Sequence, residues 1–463
     1  MNKGIVAVAV IIIAVVAVIF ASVFKDLPTE DPLPDEIEIS SLDELMSMDD
    51  GNRYILTTDI SMDGVDRSLS ISYLNGNGHS ITGFTRPLFS YGATLSNLTL
   101  SGSASGIGIG LLSEKGGYMS LTDVNISGKL TTSGVDPCGG IAPRIYSKIV
   151  GCTIDIDISG KAPAGEIAGT CTRLELKDTN ILGSVESECH ASGIAYMLGE
   201  KDAGALLTME NTTLSSNIKS ADSASGIAKT TEDKDVKLSG LCFKDCTIQG
   251  VKNVGAVFSE LNLKIELGSF IYENTEVQGE QFVGGLFGKV NKVMMEGISN
   301  DSGLIVIGLK SAFKDACIGG IAGYSNWTTK GCTNYAVVEN QGTGRYVGGI
   351  IGYVDGSSVW NSTNKGDVFS KGSYAGGIAG GLYADSSLTC IQSCINHGDV
   401  IGTTSVGGIS GILTKTRYIV YADVDSCVNL GTIKGKTQVQ EIIGDDSCAR
   451  LKNCSPEGEV IIA

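Results

Sequence analysis

Histidine is nearly missing from this chain of 463 residues: there are three, His79, His190 and His397, far apart in sequence. A zinc centre draws on several nitrogen or sulfur ligands at close spacing. Beyond the half-sites Cys242-x-x-x-Cys246 and Cys390-x-x-x-Cys394, the sequence offers none. Positive charge is short as well. Lys and Arg number 34 against 51 Asp and Glu, for a net charge of −17, which argues against nucleic acid, whose phosphates require Lys and Arg clusters. Charged residues of both signs make up only 18% of the chain and hydrophobic ones 42%, too apolar a mixture for disorder. Beyond residue 54 no amphipathic helical period recurs, so the body reads as all-β. No cofactor is expected; calcium is the one ion that the acidic balance leaves open.

What the chain has in excess is glycine, 62 residues without a strict three-residue period, which is not a collagen pattern. The glycines punctuate a repeat. An aliphatic residue recurs about every 30 residues, usually just after Gly-Gly: Leu111, Ile141, Ile167, Ile194, Ile227, Val257, Leu286, Ile321, Ile350, Ile378, Ile409 and Ile442. Short strands with Gly or Asn corners fill each period, roughly three to a turn. The expected fold is therefore a right-handed parallel β-helix of about 12 coils, in which each coil touches only its neighbours.

The N-terminus predicts the compartment. Gly4 to Phe24 is an uncharged apolar run, about the length of a membrane-spanning helix. It ends in Phe20-Ala21-Ser22-Val23-Phe24, a poor signal-cleavage site. Residues 1–26 are thus expected to form a transmembrane signal-anchor, with Lys3 inside and the body outside the cell. Residues 27–40, with Pro28, Pro32 and Pro34 among acids, form a stiff linker. Ser41-Leu42-Asp43-Glu44 has the form of a capping box. A short helix over 41–49 is expected to cap the first coil of a β-helix spanning 41–463.

A second column has period-two spacing. Cys332-x-Asn334-x-Ala336-x-Val338 returns around Ser362 and Asn364, Cys394 and Asn396, Cys427 and Asn429, and Cys454. Earlier copies replace Asn with an aliphatic residue: Cys152-x-Ile154, Thr179-x-Ile181, Thr212-x-Leu214 and Cys246-x-Ile248. Stacked asparagines predict an amide ladder. Stacked thiols suit the torsion of a disulfide poorly, so the cysteines read as small buried groups. The segment 291–310 fits no register.

The opening Leu74-Asn75-Gly76-Asn77-Gly78-His79-Ser80-Ile81 and the unit Val347-Gly348-Gly349-Ile350-Ile351-Gly352 resemble the GLUG-motif surface proteins, a family of parallel β-helix repeat proteins. The likeness covers about residues 40–463 and is strongest after 280. It implies a surface-exposed, adhesin-like role and brings no catalytic residues. Some members of that family carry a metalloprotease, but no His-Glu-x-x-His occurs here.

Three features carry the functional question. Eight of the fifteen tyrosines and both tryptophans lie between Tyr324 and Tyr421. Tyr324, Trp327, Tyr353 and Trp360 form the candidate ligand face, with Tyr324 and Tyr353 expected to point outward; a packing role is the open alternative. Asp155 and Asp157 alternate with isoleucines and face solvent together, which would suit a carbohydrate-active enzyme, although no base can be placed beside them. Sequons stand at Asn97, Asn125, Asn211, Asn300, Asn326, Asn361 and Asn453. The expected function is non-enzymatic binding of a glycan or another surface component, with a β-helix enzyme or a passive stalk as alternatives. Partners are the membrane, through the N-terminal helix, and a second surface. The open last coil is a further place for association.

Overall fold

A computed structural model describes residues 36–199, 206–231, 237–310, 313–386, 388–418 and 421–463. The chain divides into two units, Met1–Ile37 and Glu38–Ala463. The apolar run at 4–24 and most of the linker lie outside the described residues. Among the described residues no helix is long and apolar enough to cross a membrane.

The second unit is a parallel β-solenoid of about 12 turns with almost no helix. Where the sequence predicts a helix over 41–49, one turn and a half forms, Leu42–Met46. Ser41 Oγ accepts the Glu44 N–H at 3.3 Å. The Glu44 carboxylate reaches one residue further back than a standard box, accepting the Ser40 N–H at 2.6 Å.

All twelve residues of the aliphatic column are buried. Their backbones bond coil to coil, for example Ile321 N–H to the Ile350 carbonyl at 2.9 Å and Ile350 to Ile378 at 3.0 Å. A second inward column runs unbroken from Leu130 through Ile158, Val185, Ile218, Ile248, Val277, Val306 and Val338 to Val460. Each coil stacks an apolar layer on the one before, which is where a solenoid obtains its core.

The expectation of three strands per turn holds only in the first half. There a turn reads Cys138–Gly139, Ala142–Val150 and Thr153–Gly160. In the second half a turn has five: Cys317–Gly319, Ala322–Ser325, Thr329–Lys330, Thr333–Asn334 and Val337–Asn340. The asparagines explain one of the two added breaks, that between Thr333–Asn334 and Val337–Asn340. Asn334 donates from Nδ2 to the Ala336 carbonyl at 2.8 Å, and its Oδ1 accepts the Ala336 N–H at 3.1 Å. The side chain satisfies the backbone where the strand turns. Ile154 and Ile181, in the corresponding place, cannot do this, and their strands run straight through.

Two registers differ from the sequence reading. Cys246 does not continue the Thr212 column: Thr212 pairs with Leu241, and Ile248 falls in the column of Val338 rather than that of Asn334. One extra residue between Phe243 and Thr247, compared with Leu214 and Asn217, shifts the phase. The unassigned segment 291–310 is a regular part of the coil. Its strand Leu304–Gly308 pairs with Thr275–Gly279 on one side and with Val337–Asn340 on the other.

Candidate functional site

In each C-terminal coil a Gly-Gly-aliphatic turn folds two short strands back on one another. Tyr346–Gly348 and Ile351–Asp355 are one such pair. Val347 and Ile350 point into the core, so the alternate positions, Tyr346 and Tyr353, lie on the outer side. Stacking repeats this along the axis: Tyr346 is in register with Tyr374, and Tyr324 with Tyr353.

The result is a continuous aromatic band. Phe282 lies 5.5 Å from Tyr324, centroid to centroid. Tyr324 stacks on Tyr353 at 6.4 Å, Tyr353 meets Tyr346 at 4.5 Å, and Tyr346 stacks on Tyr374 at 5.4 Å. Gly381 leaves the room that the Tyr346 ring occupies. The Lys289 ammonium sits 5.3 Å from the centre of the Tyr324 ring, and the Tyr324 hydroxyl donates to Asp355 at 2.7 Å. Burial, and after it the Asp355 carboxylate, holds the Tyr324 hydroxyl well above its usual pKa. Burial does the same to Tyr353 and, more mildly, to Tyr346. The expected outward rings are thus half-buried against each other.

The four candidate ligand residues do not form one face. Tyr324 and Tyr353 belong to this band. Trp327 lies at the next corner, 47% exposed, and Trp360 on another sheet, in register between Lys330 and Gln392. The Trp360 indole N–H donates to Cys390 Sγ at 3.2 Å. Phe282, Lys289 and Asp355 complete the band but were absent from the sequence reading. Phe282 and Lys289 lie one coil before Tyr324 and Asp355 one coil after it, and only coil-to-coil register brings them together.

The asparagine column forms an internal amide ladder. Asn300 donates to Asn334 at 2.7 Å; Asn334 to Asn364, Asn364 to Asn396, and Asn396 to Asn429 follow, each at 2.8 Å. All five are buried. Asn300 was missed because Ile298, not Cys, stands two residues before it. Its sequon is closed, since its amide is committed to the ladder, whereas Asn97, Asn125, Asn211, Asn361 and Asn453 are exposed. The ladder also accounts for the second glycine of the repeat. A Cβ at Gly320, Gly349, Gly377 or Gly408 would collide with Asn334, Asn364, Asn396 or Asn429 respectively.

All thirteen cysteines are free. Cys332, Cys394, Cys427 and Cys454 each donate to the carbonyl two residues back, as Ser362 does in the same register. Burial raises the Cys332 thiol to about 11. The Cys394 thiol, then burial, raises Cys427 to about 12. The Cys332 and Cys427 thiols therefore stay protonated at neutral pH.

Asp155 and Asp157 both face solvent. Contrary to the sequence reading, a base does stand beside them: Lys129 is directly in register with Asp157, whose other neighbour, Ser184, donates to it at 2.7 Å. A surface groove of about 440 Å³ lies nearby, with Glu186, Glu188, Glu280 and Lys219 on its walls. Among the described residues no group of three or more His, Cys, Asp or Glu converges as a metal ion would require. No family model matches this chain, and no curated protein or solved structure is similar to it.

Proposed function

We propose that the chain is a cell-surface binding protein of the GLUG-motif kind that recognises a glycan, with no turnover, through its aromatic band. In this reading the run Gly4–Phe24 anchors it, the helix Leu42–Met46 caps a right-handed coil, and the solenoid carries the band away from the membrane. The observation that supports it best is the unbroken row Phe282–Tyr324–Tyr353–Tyr346–Tyr374. Half-buried rings beside Lys289 and Asp355 offer apolar contact and hydrogen bonds together, as a sugar requires.

The test compares Tyr324→Ala/Tyr353→Ala with Trp327→Ala/Trp360→Ala in native gels cast with a panel of polysaccharides. The tyrosine pair should weaken retardation at least tenfold while the circular-dichroism spectrum keeps its β form, and the tryptophan pair should change little. Full retardation by the tyrosine variant would remove the band from the proposal. The enzymatic alternative rests on Lys129 beside Asp157. It requires polymer cleavage that Asp155→Asn/Asp157→Asn abolishes. A passive stalk would bind nothing in any gel.

A further inference from the structure

A second aromatic row lies on the opposite half of the chain, where the sequence showed no clustering. On the strand Ala142–Val150, Ile145, Ser147 and Ile149 point inward and are buried, while Tyr146 and Lys148 point out. One coil earlier, Met119 and Leu121 point inward and Tyr118 points out. Tyr118 is in register with Tyr146, and Tyr146 with Arg173. The rings of Tyr118 and Tyr146 are 5.6 Å apart. Tyr91, one coil earlier again, carries the Lys115 ammonium 4.8 Å above its ring.

These rings are far more open than those of the C-terminal band: Tyr91 is 56% exposed, Tyr118 53% and Tyr146 43%. The core does not demand them, because the inward positions of the same strands already fill it. Consecutive exposed rings on one face mark a contact surface. The cations on this face are equally telling in a chain of net charge −17. The Lys115 ammonium donates to the Tyr91 hydroxyl at 3.2 Å, and the Arg173 guanidinium to the Tyr146 hydroxyl at 3.3 Å. Arg173 also lies 5.7 Å from the centre of the Tyr146 ring. Lys115 and Arg173 contact rings and hydroxyls, whereas Lys148 is paired with Glu175 at 3.1 Å.

We propose that the exposed pair Tyr118–Tyr146, flanked by Tyr91 with Lys115 on one side and by Arg173 on the other, is a docking surface for an acidic polysaccharide. Sugar C–H faces stack on the exposed rings, and the polymer's carboxylates or sulfates meet the two cations. The coil step of about 4.8 Å is close to the length of one sugar unit, so successive units can meet successive coils. A nucleic acid presents the same two chemistries, and tighter binding of single-stranded DNA is the outcome of the test that separates it. This surface is separate from the Tyr324–Tyr374 band and does not depend on it.

The test uses the full-length chain in mild detergent, in native gels cast with polygalacturonate, with chondroitin sulfate, or with fully methyl-esterified pectin as the uncharged counterpart of the first. Retardation by at least one acidic polymer, weakening as salt rises, and none by the ester is expected. Two variants isolate the surface, Tyr118→Ser/Tyr146→Ser and Lys115→Gln/Arg173→Gln. Each should weaken retardation tenfold or more with an unchanged melting temperature, since all four side chains are exposed. Tyr324→Ala/Tyr353→Ala should leave this binding intact, so loss of one site is distinguishable from loss of the other. Retardation by neither acidic polymer would overturn the proposal. So would equal retardation by the ester, undiminished binding in both variants, or tighter binding of single-stranded DNA.

Discussion

At the scale of single residues, two buried titratable groups set how the fold responds to pH. Glu166 occupies the position where other coils have the second glycine, directly before the column residue Ile167. It is completely buried; Oε2 accepts the Ser216 hydroxyl at 2.5 Å, and Oε1 has no hydrogen-bond partner among the described residues. Burial first, then the neighbouring Asp155 and Asp157, hold its carboxyl well above the usual 4.5, so it is folded as a neutral acid. His190 bonds through Nε2 to the Ser192 and Ser225 hydroxyls at 2.8 and 3.1 Å. Burial, aided by the charge of Lys229, lowers it from 6.5 to about 3. The signs are opposite. For Glu166 the unfolded chain releases a proton above pH 4.5 that the folded chain keeps, so its contribution declines as pH rises, by about 1.4 kcal/mol per unit. For His190 the unfolded chain takes up a proton below 6.5 that the folded chain refuses, so its contribution declines as pH falls towards 3. The two cancel between these values and add a loss on either side. Glu166→Gln should therefore raise the melting temperature at pH 8 and barely change it at pH 4.5. An equal effect at both values would show that the carboxyl is not held neutral. A glutamate within a Gly-Gly-aliphatic repeat reads as surface in sequence; only the solenoid's geometry turns it inward.

At the scale of the element, the asparagine ladder and the glycine column are one device. The amide needs space beside it, and the second glycine provides it. Replacing Asn364 with Ala would leave the Asn334 amide, the Asn396 carbonyl and the Gly366 carbonyl without their Asn364 partner. At about 1–3 kcal/mol for each buried group left unsatisfied, the expected loss is about 3 kcal/mol, read as a lower thermal midpoint. An unchanged midpoint would mean that the ladder is ornamental. This coupling also divides what was legible in the sequence from what was not. The aliphatic column could be read because inward residues recur at a fixed period, and Asn334 to Asn429 because they share a motif with it. Asn300 was hidden because its coil lacks the flanking cysteine. The phase slip at Cys246 was hidden because a single added residue moves a corner without disturbing the local pattern. The five-stranded turn was hidden because the same asparagines read as a stacking ladder, and only the fold shows each amide also bonding the backbone two residues on.

At the scale of the whole molecule, a stack of coils presents two aromatic surfaces, one exposed and carrying Lys115 and Arg173, the other half-buried between Phe282 and Tyr374. The second was partly legible, through the density of tyrosine after 324. The first was not, since Tyr118 and Tyr146 are spaced like any other residues until register aligns them. In a solenoid each coil contacts only its neighbours, so a change in one surface should leave the other in place. The claim that joins these surfaces is that the chain holds a glycan without cutting it. The direct measurement is to run the full-length chain through native gels cast with a panel of polysaccharides, then stain each gel for intact polymer. The account expects a retarded band over uniformly stained polymer; a cleared zone would reveal an enzyme, and unretarded migration in every gel would contradict glycan binding altogether.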